Sequence, residues 1–165
     1  MAKHRKQPSR YARVLRWLGG QRWFAAIGRR LAPVDTWLYS VTGGRFGLTG
    51  PTGIAYSALL LSTIGRRSGK VRTTPVMYLQ DGDRFVVTSE NFGQERPAAW
   101  PLNLDANPEA TIQIGRETVK CRARRATEEE IERYWPQFVG IWPAHESYLS
   151  RSGVRKTFVL ERVDR

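Results

Sequence analysis

Four basic residues, two glycines and a serine are concentrated between Gly65 and Arg72, a segment that reads Gly-Arg-Arg-Ser-Gly-Lys-Val-Arg. Glycine lets a backbone approach a ligand closely. Arginine presents a planar fork of donors that matches the oxygens of phosphate and carboxylate groups. The segment therefore predicts a site for an anionic ligand such as the phosphate of a cofactor, although an ordinary solvated basic loop would have the same composition.

The spacing within this loop disfavours a nucleotide triphosphatase. A Walker A loop places four residues between its glycines and lies between a strand and a helix. Here only three residues separate Gly65 from Gly69, and Val71 follows Lys70 where Ser or Thr would be required. Short apolar and β-branched runs on both sides predict a loop between two strands.

Composition narrows the classes of partner and site. The chain has 165 residues, a formal net charge of +12, one cysteine and two histidines. This charge favours an acidic partner, namely nucleic acid, an anionic membrane or an anionic small molecule. A nucleic-acid platform would need exposed aromatics interleaved with basic residues, and no such motif is visible. The lone Cys121 excludes an internal disulfide and predicts a buried thiol, and no metal site is expected.

The N-terminal third differs from the rest of the chain. Residues 1–50 contain ten Lys or Arg and one acid, and their apolar positions predict amphipathic helices broken at Gly19-Gly20 and at Pro33. We interpret residues 1–50 as a basic helical appendage with a glycine-rich linker, and residues 51–165 as the main domain. Residues 10–40 could lie on an anionic membrane or pack on the domain. No signal peptide or transmembrane segment is apparent, so a cytoplasmic location is expected, with membrane association as an option.

The main domain is predicted to be mostly β. Strands are expected at 54–63, 72–79, 84–89, 110–114, 118–124 and 157–162, and short helices at 98–106, 128–138 and 145–150. Asp81-Gly82-Asp83 is typical of a hairpin turn. Thr127 followed by Glu130 is a capping box, which makes the acidic run Glu128–Glu130 a helix start rather than a metal site. Six short strands with few helices predict a small barrel.

Several blocks of sequence, in this order, resemble the family of deazaflavin-dependent nitroreductases and quinone reductases that use coenzyme F-420. The resemblance runs from about Tyr56 to Arg162. Its blocks are Thr63–Gly69, Arg72–Pro75, Asp81–Arg84, Thr88–Gly93, Ala99–Leu104, Ala106–Pro108, Tyr134–Pro136 and Val159–Glu161. Each block is short, but their order and spacing together are specific.

The resemblance implies a split β-barrel of the FMN-binding type and an F-420-dependent oxidoreductase. Reduced F-420 would give a hydride to an electron-poor organic acceptor: a quinone, a nitro compound or an activated alkene. The cofactor phosphate would contact residues of the basic loop, namely Arg66, Arg67, Ser68, Gly69 and Arg72. Pro75, Val87 and Trp100 would line the deazaflavin ring, Asn103 would lie near the cofactor, and Ser89 would orient the acceptor. FMN is a second cofactor option, and barrels of this type are frequently homodimers.

The acceptor side departs from the family pattern. Family members place several tyrosines near their C-terminal helices, whereas this chain retains only Tyr148 there, beside Trp142 and His145. His145 could supply the proton that accompanies hydride transfer, although an exposed or helix-capping histidine is the more ordinary interpretation. The altered pocket leaves a non-enzymatic alternative open, in which the barrel carries or senses F-420 or a lipid at the membrane.

Overall fold

A computed structural model of the chain describes residues 58–163 and eight helical residues between Trp23 and Val41. Within residues 58–163 there are six strands, three α-helices and one short 3-10 helix. The strands are β1 (Ala58–Ile64), β2 (Val71–Asp81), β3 (Arg84–Ser89), β4 (Glu109–Ile114), β5 (Glu117–Arg125) and β6 (Lys156–Arg162). The helices are α1 (Ala99–Ala106), α2 (Glu128–Ile141) and α3 (Ala144–Ser152), with the 3-10 helix at Asn91–Gly93.

The six strands form a closed antiparallel barrel in the order β1-β2-β3-β6-β5-β4. Two of its hairpins turn at glycines in the left-handed region, Gly82 (φ 62°) and Gly115 (φ 60°), where a side chain would be strained. The predicted barrel of six short strands is confirmed, and β3 has the predicted bounds.

The strand register brings several distant segments to one end of the barrel. β1 ends at Ile64, opposite Val71 at the start of β2. β3 runs towards the same end, because β2 is antiparallel to both β1 and β3. The last residue of β3, Ser89, pairs there with Lys156 at the start of β6. We call this the loop end. It therefore collects the basic loop between β1 and β2, the chain that follows β3, and the chain that leads into β6.

Alternating residues of the strands fill the barrel interior. Leu59, Leu61 and Ile112 are completely buried, and Phe85 and Phe158 are nearly so. Burying each such side chain contributes roughly 1.5–3 kcal/mol. The core is therefore apolar, and chemistry that requires polar groups must occur at the barrel ends.

Cys121 belongs to this core. Its side chain is buried, and burial raises the pKa of the thiol to about 11, with only partial opposition from Arg162. A thiol held in its protonated form is a poor nucleophile. The prediction of a buried thiol is confirmed.

Helix α1 is tied across the loop end by one carboxylate. Asp105 accepts two hydrogen bonds from Arg125 (2.7 and 2.8 Å) and a third from Lys156 (3.1 Å). Partial burial opposes the ionisation of Asp105, but these two cations outweigh it and lower its pKa. The contacts join α1 to the end of β5 and the start of β6, which fixes the position of the helix over the barrel.

Helix α2 begins with the predicted capping box. Thr127 Oγ1 accepts from the Glu130 amide at 3.2 Å, and Glu130 Oε2 accepts from the Thr127 amide at 3.0 Å. Arg124 donates two hydrogen bonds of 2.8 Å to the same carboxylate. These contacts, the Arg124 bonds first, lower the pKa of Glu130 to about 2 although its partial burial opposes the shift. The acidic run is therefore a helix start, as predicted.

The structure extends two of the predicted helices. α2 continues past Phe138 to Ile141, with Pro136 inside it, and α3 runs from Ala144 to Ser152. In the N-terminal part, Leu31 and Val34 are both helical. Residues 1–22, Pro33 and the linker at 42–53 lie outside the described residues, as does the boundary we place between residues 50 and 51.

Replacing Thr127 with alanine tests the capping box. Loss of the hydroxyl leaves the Glu130 amide without its acceptor, so the free energy of unfolding should fall by about 1 kcal/mol in urea denaturation. Thr118→Ala, at an exposed position of β5, serves as the control and should change it by about 0.5 kcal/mol or less. Equal effects of the two substitutions would contradict a capping role.

Candidate functional site

Backbone bonds give the basic loop a defined shape. The Gly65 amide donates to the Lys70 carbonyl (2.9 Å), and the Ser68 and Gly69 amides both donate to the Gly65 carbonyl (3.1 and 2.7 Å). A Cβ at Gly65 would lie 2.8 Å from the Ser68 hydroxyl oxygen and 3.1 Å from the Lys70 carbonyl oxygen, so glycine is needed for this close approach. Gly69 has a φ of +66°, which also favours glycine.

Asn103 of α1 holds the start of the loop from within the protein. Its side chain is buried, and its Oδ1 accepts from the Arg66 amide at 3.2 Å. Its Nδ2 donates to the Thr63 hydroxyl of β1 at 3.1 Å. Because a backbone amide can only donate, the orientation of the Asn103 amide group is fixed by these two partners. Asn103 therefore lies near the predicted phosphate site, and its contacts shape the loop.

Four cations of the loop are left without acidic partners in the described part of the chain. Arg66, Arg67, Lys70 and Arg72 are all exposed, and no described carboxylate lies within 4.0 Å of them. By contrast, Arg124 and Arg125 are both ion-paired. Four uncompensated positive charges within seven residues favour the binding of an anion.

The three residues expected to line a deazaflavin ring lie in different environments. Val87 is completely buried and Trp100 is nearly so, both in the main core, where the Trp100 and Phe158 ring centroids are 5.9 Å apart. Pro75 is half-buried on β2, opposite Leu60. Pro75 is the most accessible of the three, so a ring bound here would meet Pro75 before it met Val87 or Trp100.

The chain after β3 adopts an unusual backbone at the loop end. Asn91 and Phe92 have φ angles of 46° and 55°, which are uncommon for residues other than glycine. The Ser89 hydroxyl accepts from the Asn91 amide at 3.2 Å, and the Asn91 side-chain amide donates to the Arg96 carbonyl at 2.5 Å. Backbone held in such conformations is concentrated at functional sites. Ser89 lies at the start of this segment, half-buried.

Helix α3 packs against the same segment. The Tyr148 ring meets the exposed Phe92 ring edge-on, with centroids 5.8 Å apart, and the Arg151 guanidinium lies 5.3 Å from the Tyr148 centroid. Tyr148 is buried and clusters with Trp142, Ala144 and Met77. The structure thus brings Tyr148 and Ser89 to the same end of the barrel as the basic loop.

His145 forms a buried pair with a residue that the sequence analysis did not select. Its Nδ1 lies 2.6 Å from Oε2 of Glu90, and both residues are buried (6% and 3% exposed). The interpretation of His145 as an exposed or capping histidine is therefore wrong, because its ring packs against α2 and is bonded to Glu90, which directly follows β3. Glu90 follows a strand directly, but no sequence signal indicates that it points inward.

Neither a metal-binding group nor a membrane-spanning helix is found among the described residues. Within residues 58–163 and the N-terminal helical positions, no group of three or more His, Cys, Asp or Glu could hold a metal ion. In the same part of the chain, no helix is both long enough and apolar enough to cross a membrane.

Comparisons with known proteins agree with this fold. A Mycobacterium tuberculosis (strain H37Rv) protein named F420H(2)-dependent quinone reductase is 30% identical over 116 residues, which cover 70% of this chain and 73% of that protein. A solved F420-H2 dependent reductase, FDR-A, is 26% identical, with a TM-score of 0.58 over 63% of this chain and 93% of that one. A structure described as a domain-swapped dimer is 24% identical, with a TM-score of 0.58 over 79% of this chain and all of that one.

The model of the family described as F420H(2)-dependent quinone reductase matches residues 33–161, which include the basic loop, Asn103 and the Glu90–His145 pair. The chain therefore belongs to this family of coenzyme F-420-dependent oxidoreductases.

Proposed function

We propose that this protein transfers a hydride from reduced coenzyme F-420 to an electron-poor organic acceptor, with a quinone as the first choice and nitro compounds or activated alkenes as further candidates. The observation that carries the proposal is the group of four uncompensated cations on the loop that Asn103 holds in place. A phosphate and an oligoglutamate tail are polyanionic, and charge-assisted hydrogen bonds to them contribute on the order of 1.5–3 kcal/mol each.

Residues of the basic loop and of the barrel would have different roles in binding the cofactor. Arg66, Arg67 and Arg72 would bind the cofactor phosphate, while Ser68 and Gly69 would let the backbone approach it. When bound, the cofactor supplies the hydride, and the protein supplies binding, orientation and exclusion of water. Pro75, Val87 and Trp100 would bound the ring.

The acceptor would be held by the segment after β3 together with α3. The Ser89 hydroxyl and the exposed Phe92 ring, which packs on Tyr148, would orient a flat organic molecule. His145 would deliver the proton that accompanies the hydride. These roles are supported by the convergence of all four residues at the loop end of the barrel.

A titration with F-420, and in parallel with FMN, tests the function directly. Tryptophan fluorescence should show selective binding of F-420, and the reduced form should be oxidised when members of a quinone panel are added. Tight F-420 binding without turnover would favour the carrier or sensor alternative. Preference for FMN, or no binding of either, would overturn the proposal.

The phosphate site is tested by replacing Arg66 and Arg72 together with alanine. Loss of two charge-assisted contacts should weaken F-420 binding by about 100-fold or more, with little change in melting temperature because both side chains are exposed. Arg116→Ala with Lys120→Ala is the matched control. It also removes two exposed cations, but Arg116 lies in the β4–β5 turn at the opposite end of the barrel. Equal losses in both variants would show a general charge effect instead of a site.

The N-terminal helical residues support contact with an anionic membrane surface as part of the same proposal. Trp23, Ile27 and Leu31 recur at helical spacing, as do Val34, Trp37 and Val41, and all six are exposed (41–63%). Arg30 is exposed among them, and residues 1–50 carry ten basic residues against one acid. Apolar side chains next to cations are what an interfacial helix presents to anionic lipid.

Ile27→Glu with Val34→Glu should reduce co-sedimentation with vesicles that contain anionic lipid. Each acid removes apolar contact and adds repulsion, so a loss of about tenfold or more in partitioning is expected. Val163→Glu, an exposed position at the end of the barrel chain, is the control and should change partitioning little. Unchanged binding of the double variant would contradict membrane contact through these residues. Light scattering of the wild-type protein without vesicles would show whether it is a homodimer.

A further inference from the structure

Glu90 and His145 form an isolated, buried acid–base pair. Glu90 Oε1 accepts from the Thr88 hydroxyl at 3.0 Å, and Thr88 is in turn 3.0 Å from the Thr157 hydroxyl of β6. Glu90 Oε2 takes the bond to His145 Nδ1. Both oxygens of the carboxyl group are therefore engaged, and its position is fixed by β3, β6 and α3 together.

The surroundings of the His145 ring are mainly aromatic. Trp135 and Phe138 of α2 and Tyr148 of α3 meet it edge-on, with centroids 5.9, 5.8 and 6.3 Å away. Two cations stack on those rings: Arg155 on Trp135 (4.7 Å) and Arg151 on Tyr148 (5.3 Å). Among the described residues, only His145 comes within ion-pair distance of the Glu90 carboxyl group.

This isolation constrains the protons that the pair holds. If the shared proton lies on Nδ1 while Glu90 is ionised and the ring is an imidazolium, Nε2 also carries a proton. If the shared proton lies on Glu90, the neutral ring accepts it at Nδ1 and again carries a proton on Nε2. Nε2 is bare only when a carboxylate faces a neutral ring, and this state leaves a net negative charge in a buried site, which disfavours it in the free protein.

Nε2 is also the polar atom without a partner. It is buried, and no described residue forms a hydrogen bond with it. A buried N–H without an acceptor is uncommon in folded proteins, and a catalytic role is one of the reasons for which such a group is kept. We infer that Glu90 is a positioning residue that keeps a proton on His145 Nε2, and that this N–H supplies the proton that the anionic oxygen formed on the acceptor takes up.

The proposed reduction takes one proton from His145 Nε2 and one hydride from the cofactor. The N–H bond at Nε2 breaks and an O–H bond forms on the acceptor, while the ring keeps the proton shared with Glu90 and becomes neutral beside the carboxylate. The hydride supplies two electrons and one hydrogen, so a quinone becomes a hydroquinone. Solvent then returns one proton to Nε2. This inference rests on the proposed function for the identity of the acceptor, but the protonation of Nε2 is a property of the free protein.

The variant Glu90→Gln should keep the orientation of the His145 ring while it removes the ability of the ring to donate a proton. A glutamine can accept from Thr88 and donate its amide N–H to Nδ1, so it should preserve the ring orientation and a proton on Nε2. It cannot balance the charge of an imidazolium, and a neutral ring that lost its Nε2 proton would become an imidazolate. Since general acid catalysis contributes about 10²–10⁴-fold, kcat with a quinone should fall by about 100-fold or more. KM, F-420 affinity and melting temperature should change little.

Comparison with His145→Gln shows whether the two residues act as a unit. The single variants and the double variant should lose kcat to similar extents, because removing either partner disables the same step. Independent, multiplicative losses would overturn the inference. Wild-type turnover by Glu90→Gln would also overturn it, because it would mean that the carboxyl group serves only packing.

Nitrogen NMR of the free protein gives a readout that does not depend on turnover. The chain has two histidines, His4 and His145, so His145→Gln assigns the signals of the imidazole nitrogens. In wild-type protein, Nε2 of His145 should carry a proton that exchanges slowly with water. A bare Nε2 would overturn the inference. If the wild-type protein does not oxidise reduced F-420 with any acceptor, the proposed function fails and this spectrum decides the protonation of the pair separately.

Discussion

The hydrogen bonds of the Asn103 amide group are the constraint on which the basic loop depends. This group joins the last turn of α1 to the end of β1 and to the first amide of the loop. Without it, the loop would keep its internal backbone hydrogen bonds, but nothing would tie its four neighbouring cations to helix α1. With it, the loop is ordered when the protein folds. The binding of an anion would then not have to bear the entropic cost of ordering the loop.

The closed barrel extends this constraint to the rest of the site. In an antiparallel barrel, each strand begins where its neighbour ends, so residues distant in sequence reach one end without long connections. Asp105 fixes α1 to β5 and β6, while Glu90 fixes α3 to β3 through His145. The proposed binding groups and the proposed acid–base pair therefore share one rim, above an apolar core.

Features that depend on neighbouring residues could be predicted from the sequence, whereas the candidate site depends on contacts between residues that are distant in sequence. The capping box at Thr127 and the turn at Gly82 involve residues two to four positions apart, so their patterns can be recognised in the sequence. The composition of the basic loop predicted an anion site for the same reason. Asn103 was selected through family resemblance, but its partners Thr63 and Arg66 are about 40 positions away. Glu90 was missed because an acid after a strand normally faces solvent, and its partner lies 55 positions further on.

The two parts of the rim differ in how their charges act. The loop cations are exposed, so water and salt screen them until an anion covers them, and their attraction strengthens as the contact becomes dry. The Glu90–His145 pair is already enclosed by aromatic rings and threonine hydroxyls, so its hydrogen-bond geometry is fixed before any acceptor arrives. Groups that are oriented in advance need no reorganisation when charge develops. An exposed histidine could offer a proton near neutral pH, but its orientation would have to be fixed anew in each turnover. Burial of the pair removes that step, and this explains why a protein with such an exposed anion site would keep its acid–base residues inside.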